Sequence, residues 1–424
     1  MEKREKAIAV ALWLRGGSEE EKLSFAELFS LAETAGVTVE EGFTQNRGEP
    51  DMRYFIGPGK AEEIGEFVRS YDIDTAIFDS ELSPSQVNNL ERKVPAKIID
   101  RSELILDIFA QRAESKEGKL QVELAQLKYQ LPKLMGRGRD LSRLAGGIGT
   151  RGPGETKLEV DRRRIRHRIH VLEKELAEFA KHRALLRKQR ERRNLFQVAL
   201  VGYTNSGKST LLNRLTQADT YVADALFATL DPLSRRLETE KGTAVISDTV
   251  GFISGLPHHL IAAFKATLEV VIHADLLVHV VDVSHPDLDM QVNQVNSVLK
   301  QLDSLDKNQI IAANKIDLLP EQALTGLEAK FRNCAAFVPV SAATGANIDK
   351  LMAEIENHME PWIRFQALVP MNIFRRLSQA NAGNLVPLEF TADAQVKIDA
   401  ELPKSIAATL EQYMLPDCQE EGSC

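Results

Sequence analysis

One short run, Gly202–Ser209 (GYTNSGKS), constrains the fold of this 424-residue chain more than any other feature. It fits the pattern G-x-x-x-x-G-K-[ST], and it lies between an apolar, β-rich stretch, 195–201, and a helix-forming stretch, 209–215. A strand, a glycine loop and a helix in this order bind phosphate, because backbone N–H groups and the helix N-terminus surround it. Lys208 is then expected to reach the β- and γ-phosphates, and the Ser209 hydroxyl to bind Mg²⁺. The alternative is a chance match in a glycine-containing turn.

Three later motifs indicate that the bound base is guanine. A strand-like stretch ends in D-x-x-G, where Asp248 can hold Mg²⁺ through a water and the Gly251 N–H can sense the γ-phosphate. Another ends in N-K-x-D, whose Asp317 carboxylate can accept hydrogen bonds from guanine N1–H and N2–H₂, a donor pair that adenine lacks. In the third, Val338–Ala342, the Ala342 backbone N–H can meet guanine O6. The four motifs occur in the order of a GTPase domain that resembles Ras-like proteins, so GTP and GDP are the predicted ligands.

The predicted site residues follow from these motifs. The nucleotide-binding set is Gly202, Tyr203, Thr204, Asn205, Ser206, Gly207, Lys208, Ser209, Thr210, Phe227, Thr229, Asp248, Gly251, Asn314, Lys315, Asp317, Ser341 and Ala342. The predicted metal ligands are Ser209, Thr229 and Asp248, and the predicted catalytic set is Lys208, Thr229, Gly251 and Asn205. Thr229 is the candidate switch threonine for Mg²⁺, and an ordinary surface-loop threonine is the alternative.

The residue after D-x-x-G departs from the Ras-like pattern. Phe252 stands where a glutamine usually orients the attacking water, and a phenyl ring cannot hydrogen-bond water, so slow intrinsic hydrolysis is predicted. A partner or an ion must then complete catalysis. Asn205 suggests the ion, because in related GTPases an asparagine at this place helps to hold K⁺ between the phosphates. The alternative is an asparagine that only stabilises the turn.

A strongly basic segment lies within an acidic chain. The net charge is −8, yet Asp161–Arg193 holds 13 Lys/Arg against five Asp/Glu, so the remainder sums to −16. Such asymmetry is typical of nucleic-acid binding, although a solvated helix face is the alternative. Leucines at 120, 124, 127, 131 and 134, and apolar residues at 165, 169, 172, 176 and 179, form two heptad seams and predict an antiparallel helical hairpin. The Gly/Arg-rich connection, 136–154, is predicted to be a flexible RNA-probing tip or a simple linker.

The rest of the chain is predicted to be α/β. Strands are expected at 7–14, 37–45 and 75–78, and another ends at 97–100, with helices at 19–35 and 61–71. The run Gly57-Pro58-Gly59-Lys60 is interpreted as the turn that starts the second helix, and an anion-binding site is the open alternative. Beyond 361 we expect strands at 373–377 and 385–391, a helix at 404–413 and a disordered acidic end at 417–421. The predicted domains are an N-terminal α/β domain (1–115), the hairpin (116–194), a Ras-like P-loop G domain with a mainly parallel sheet (195–362) and a small C-terminal α/β appendage (363–424).

The cysteine content and the short apolar runs indicate where in the cell the protein is expected. Three cysteines without metal-ligand spacing favour a reducing cytosol over a disulfide framework. The apolar run Ile8–Leu14 is too short to span a membrane, and no small-residue cleavage site follows it, so neither stable membrane insertion nor a signal peptide is expected. A cytoplasmic monomer is the prediction.

Two runs carry a resemblance to a known family. Residues 149–159 (GTRGPGETKLE) with Asp161-Arg162-Arg163, and 248–253 (DTVGFI) with Leu256-Pro257 and Ala263-Phe264, look like the hallmarks of the HflX GTPases. Shorter matches at 54–57 and 107–110 extend the resemblance, which covers the chain to about residue 360.

The resemblance implies a GTPase that binds the large (50S) ribosomal subunit near the peptidyl-transferase centre and helps to split stalled ribosomes, notably under heat stress. It implies tight binding in the GTP state, ribosome-stimulated hydrolysis that permits release, and a hairpin tip carrying Arg137, Arg139, Arg143 and Arg151 that contacts ribosomal RNA. Two alternatives stay open: a GTPase acting in tRNA modification or in assembly of another RNA–protein particle, and a non-catalytic scaffold that only senses GTP.

Overall fold

The structure is a computed structural model. It describes residues 5–14, 16–144, 157–192, 195–216, 226–227, 233–254, 265–320, 326–327, 330–331, 334, 336–380, 384–391 and 393–415. These residues form three β-sheets and a pair of long helices. No helix among them is long and apolar enough to span a bilayer.

The N-terminal sheet is wholly parallel, with strand order β2-β1-β3-β4. Its strands are β1 (Lys6–Trp13), β2 (Thr38–Asn46), β3 (Thr75–Phe78) and β4 (Lys97–Asp100). The helices are α1 (Glu19–Thr34), α2 (Pro58–Tyr71), α3 (Pro84–Lys93) and α4 (Arg101–Arg112). Helices α1 and α4 cover one face and α2 and α3 the other, which is why alternate residues of β1 enter two different apolar clusters.

Local signals begin these helices where the chain needs them. Ser18 and Glu21 form a capping box at α1, and Ser83 and Gln86 form another at α3. Asp100, at the end of β4, caps α4 through the Glu103 N–H. The predicted strands and the helices at 19–35 and 61–71 are confirmed within a few residues, whereas α3 and α4 were not predicted.

The helical hairpin consists of α5 (Lys116–Leu144) and α6 (Lys157–Arg192). Seven of the ten predicted seam residues meet in one apolar cluster, namely Leu120, Leu124, Leu127, Ile169, Leu172, Leu176 and Phe179. Glu117, at the start of α5, pairs with Arg183, whereas Glu123, further along α5, pairs with the earlier α6 residue Arg168, so the helices are antiparallel.

The predicted start of the irregular connection was wrong. Helix α5 continues to Leu144, so the backbone at 136–144 is helical in spite of two glycines, and the rest of the connection, 145–156, lies outside the described residues. A long helix loses only about 1 kcal/mol for each interior glycine relative to alanine, and extending an existing helix is far easier than starting one.

The third unit is built on a six-stranded sheet of order β10-β9-β8-β5-β7-β6. Its strands are β5 (Phe196–Gly202), β6 (Ser234–Thr239), β7 (Gly242–Ser247), β8 (Leu276–Asp282), β9 (Gln309–Asn314) and β10 (Ala336–Pro339). The described helices around it are α7 (Lys208–Thr216), α8 (Lys265–His273), α9 (Leu288–Gln301) and α10 (Ile348–His358), with a 3₁₀ turn at Ile316–Leu318. Only β6 is antiparallel to its neighbour, which confirms the mainly parallel sheet.

A small antiparallel sheet of order β11-β13-β12 follows. Its elements are β11 (Trp362–Pro370), α11 (Met371–Ala380), β12 (Asn384–Phe390), β13 (Gln395–Pro403) and α12 (Lys404–Ala408), with a 3₁₀ turn at Glu411–Tyr413. The predicted strand at 373–377 was wrong, because Met371, Ile373, Phe374 and Leu377 form one face of a helix that packs on this sheet. The predicted helix at 404–413 ends early at Ala408, and 417–421 lies outside the described residues.

The N-terminal sheet and the six-stranded sheet share one apolar core. Leu31 of α1, Phe109 of α4 and Phe252 belong to the same cluster of buried residues. Phe109 also packs edge to face on Phe227, with ring centroids 4.6 Å apart. The four domain boundaries given above stay predictions. The contact between these two sheets was not predicted from the sequence.

Candidate nucleotide site

The phosphate loop joins β5 to α7 at the carboxyl edge of the six-stranded sheet. Gly207 has φ +93° there, and a Cβ on it would lie 2.2 Å from Asn314 Nδ2. Only glycine fits this position, since the loop must curl tightly against the end of β9. Within the described residues, the buried hydroxyls of Thr204 and Ser206 have no hydrogen-bond partner, which fits groups built to face phosphate.

Lys208 lies buried inside this loop. Its ammonium donates to the backbone oxygens of Gly202 at 3.2 Å and Tyr203 at 2.7 Å. Burial lowers the pKa of Lys208 to about 8, and the Asp248 carboxylate opposes that shift only in part. A polyphosphate beside the ammonium raises this pKa again, so the buried cation favours an anionic ligand.

Ser209 and Asp248 come together at the first turn of α7. The Ser209 hydroxyl donates to Asp248 Oδ2 at 2.6 Å, although the two residues belong to different motifs. Mg²⁺ in nucleotide sites binds few protein oxygens, such as one hydroxyl and one carboxylate, together with the phosphates of the substrate. The pair therefore fits the predicted metal site, to which Thr229 cannot be compared because it lies outside the described residues.

The segment after Asp248 lies directly on the phosphate loop. The Thr204 N–H donates to the Phe252 carbonyl at 2.7 Å, and the Phe252 N–H donates to the Gly202 carbonyl at 3.1 Å. A Cβ on Gly251 would lie 2.7 Å from Thr204 Cα and 3.1 Å from Lys208 Nζ. Gly251 thus lies beside the lysine of the phosphate loop, and its contact with the γ-phosphate stays a prediction.

Asn314 ties the base-binding side of the site together. Its amide donates to the Ser206 carbonyl at 2.8 Å and accepts from the Ala342 N–H at 2.9 Å. Ser341 Oγ donates to Asp317 Oδ1 at 2.6 Å, which holds the carboxylate in place at the mouth of the site. The N-K-x-D motif and the Ser341-Ala342 motif therefore meet at one strand edge.

Two further contacts shape this side. Lys315 pairs with Asp282, at the end of β8, with Nζ and Oδ2 2.7 Å apart. Arg214 of α7 donates to the carbonyls of Ala342 at 3.0 Å and Ala343 at 2.6 Å. Arg214 was not among the predicted site residues, because no motif marks this position of α7.

The remaining predicted residues divide into three groups. Asn205 is exposed, with φ +58°, and Thr210 is half-buried in α7. Phe227 is buried against Phe109, so its ring belongs to the shared core and its contact with nucleotide stays a prediction. Of the tip arginines, 137, 139 and 143 have backbone positions in α5 but no described side chains, and 151 lies outside the described residues.

The arrangement at this strand edge defines a class of protein. A phosphate cradle, a hydroxyl–carboxylate pair for Mg²⁺ and an acidic guanine reader in one site make the chain a guanine-nucleotide-binding P-loop GTPase. Proteins named GTPase HflX share 51% identity with it in Caldanaerobacter subterraneus subsp. tengcongensis and 44% in Escherichia coli. Both matches cover 84% of this chain, and they cover 81% and 83% of those relatives. The chain belongs to the HflX family of GTPases, and it hydrolyses GTP.

Three family models match successive parts of the chain. They are described as GTP-binding GTPase N-terminal (22–110), GTP-binding GTPase Middle Region (112–190) and 50S ribosome-binding GTPase (197–315). Among solved structures, a GTP-binding protein from Sulfolobus solfataricus in complex with GDP is 25% identical, with coverage of 84% of this chain and 98% of that one and a TM-score of 0.44.

Proposed function

We propose that this GTPase binds the large ribosomal subunit and splits stalled ribosomes in the cytoplasm under stress such as heat, with ribosome-stimulated hydrolysis driving release. The family assignment supports the proposal, together with the description of the G-domain family model as a 50S ribosome-binding GTPase. The observation on this chain that carries it is the basic face of α6, where Arg163, Arg164 and Arg166 are exposed on a long helix. Such a face can follow the phosphates of folded RNA.

The chemistry at the nucleotide is electrostatic. Lys208 places a cation at the β- and γ-phosphates, and the Gly251 N–H donates to the γ-phosphate. Ser209 and Asp248 would hold Mg²⁺, which would supply positive charge to neutralise the charge that develops on the phosphates. The buried Phe252 side chain offers no group to orient water, so GTP hydrolysis by the protein alone is slow. The ribosome is the partner that supplies the missing group.

The first test compares GTP turnover by the protein alone and with purified large subunits in KCl buffer. We expect strong stimulation, at least about tenfold, because a partner supplies the missing water-positioning or charge-stabilising group. Replacing Arg137, Arg139 and Arg151 by alanine should remove most of this stimulation and leave GTP affinity intact, since these side chains are proposed to contact RNA.

A matched variant shows whether any loss of stimulation comes from the position of the tip arginines or only from the loss of positive charge. Changing Arg375, Arg376 and Lys404 to alanine removes the same charge from exposed positions of α11 and α12. It should keep full stimulation. No stimulation of the wild type, with GTP still bound, would shift the target to another RNA–protein particle, and loss of GTP affinity in the tip variant would contradict an RNA-contacting tip.

We also propose that K⁺ assists hydrolysis through Asn205. The expected result is faster turnover in KCl than in NaCl at matched ionic strength, because a K⁺ ion held at the loop adds positive charge between the phosphates. Asn205→Gly should abolish the difference while keeping the loop, since glycine readily adopts the φ of +58° found here. Equal rates of the wild type in the two salts would rule the ion out.

A further inference from the structure

Tyr203, the second residue of the phosphate loop, joins three separate parts of the chain through its hydroxyl. Its Oη donates to Glu27 Oε1 of α1 at 2.6 Å. The same oxygen accepts the backbone N–H of Ser254 at 2.7 Å. One phenol thus links the N-terminal sheet, the phosphate loop and the segment that follows D-x-x-G.

Glu27 is itself held firmly. It pairs with the guanidinium of Arg101, the first residue of α4, which also pairs with Asp79 at 2.6 Å. Ser24 Oγ donates to Asp79 Oδ2 at 2.9 Å, and Arg101 is only 3% exposed. Burial raises the pKa of Glu27, and Arg101 and the Tyr203 hydrogen bond oppose the rise. Burial and the nearby Glu27 raise the pKa of Tyr203, so the phenol stays protonated and remains a donor.

The other end of this link fixes a catalytic segment. Ser254 is three residues beyond Gly251, and Phe252 between them is hydrogen-bonded to the phosphate loop on both its N–H and its carbonyl. Because Phe252 has no polar side chain, its hydrogen bonds to the phosphate loop come from its backbone alone. The Tyr203 hydroxyl restrains that backbone at its far side.

Cohesion between the two sheets does not require this polar contact. The same interface already buries apolar residues, including the Phe109–Phe227 pair. A buried charged cluster is often no more stabilising than apolar side chains of similar volume, so holding the two sheets together does not account for this one.

We propose that Glu27 is a positioning residue for GTP hydrolysis: through Tyr203 Oη it holds the Ser254 N–H, and thereby keeps Gly251 and Phe252 in place over the phosphate loop. The N-terminal sheet then takes part in setting the catalytic geometry of the G domain. This inference rests on GTP hydrolysis alone and does not depend on the ribosomal target.

The test uses Tyr203→Phe in the full-length protein without ribosomes. The change removes one oxygen and keeps the ring, so we expect kcat to fall about three- to tenfold, the effect of one net hydrogen bond on the reacting geometry. The dissociation constants for GTP and GDP should stay within about twofold, because the base and phosphate contacts are untouched. A kcat that is unchanged or raised overturns the proposal.

A double-mutant cycle assigns the effect to Glu27. Glu27→Ala should lower kcat by a similar factor, and the double variant with Tyr203→Phe should be no slower than Tyr203→Phe alone. Multiplying effects would overturn the proposed path. Ser24→Ala, which removes side-chain contacts to Asp79 and Arg101 but leaves the Arg101–Glu27 ion pair and the Glu27–Tyr203 bond, should keep wild-type kcat. If Glu27→Ala does not fold, the Tyr203→Phe rate alone decides.

Discussion

Lys208→Ala is expected to abolish measurable GTP turnover, with a loss of about 10³-fold or more. The ammonium sits inside the phosphate loop, and no other lysine or arginine among the described residues lies on the carbonyls of Gly202 and Tyr203 that surround it. Removing one preorganised charge from a buried phosphoryl-transfer site costs about 10²–10³ in rate, and the loss of ground-state phosphate binding adds to it.

The measurement is single-turnover phosphate release together with titration of a fluorescent GDP analogue. Lys241→Ala is the matched control, because Lys241 donates to the Glu356 carbonyl at the other side of the domain and should not affect turnover. Far-ultraviolet circular dichroism shows whether both variants fold. Wild-type turnover in a folded Lys208→Ala protein would refute the assignment of the phosphate loop.

Asp317→Asn is expected to lower GTP affinity by about 10²–10⁴-fold and to shift preference toward xanthosine triphosphate. The carboxylate accepts from two guanine donors, and the amide presents a donor of its own to the guanine amino group, so a buried polar pair is left unsatisfied. Xanthine carries an oxygen in place of that amino group and can accept from the amide.

Competition of GTP, ATP and xanthosine triphosphate for one fluorescent nucleotide measures this change. The loop itself should survive, because Ser341 Oγ can still donate to the amide oxygen as it does to Asp317 Oδ1. Asp306→Asn, at an exposed position before β9, serves as the charge-matched control and should leave the three affinities unchanged. Retained GTP preference in Asp317→Asn would place the base reader elsewhere.

The polar chemistry of the site was predictable because each motif is local. In a parallel sheet the carboxyl ends of strands share one edge, so motifs that follow β5, β7, β9 and β10 must meet there. The observed Ser209–Asp248 and Asn314–Ala342 contacts follow from that rule. The motifs do not predict the rate of GTP hydrolysis or the ions that assist it.

The link from Glu27 to Tyr203 could not be predicted, because the two residues are 176 positions apart and neither belongs to a periodic pattern with the other. Helix α11 was missed for a different reason. Five apolar-rich residues fit a strand or a helix equally well, and only the spacing across ten residues, 371–380, distinguishes the two.

The length of α6 has a mechanical consequence. Its 36 residues span about 54 Å, and its last turns are anchored on α8 by Arg183–Glu269 and Arg187–His273 contacts. A rigid rod pivoting at that anchorage, roughly 42 Å from Lys157, displaces its opposite end by about 0.7 Å for each degree of tilt. A tilt at the α8 anchorage too small to see as a change of fold would therefore be visible as a displacement at the distal end of this helix.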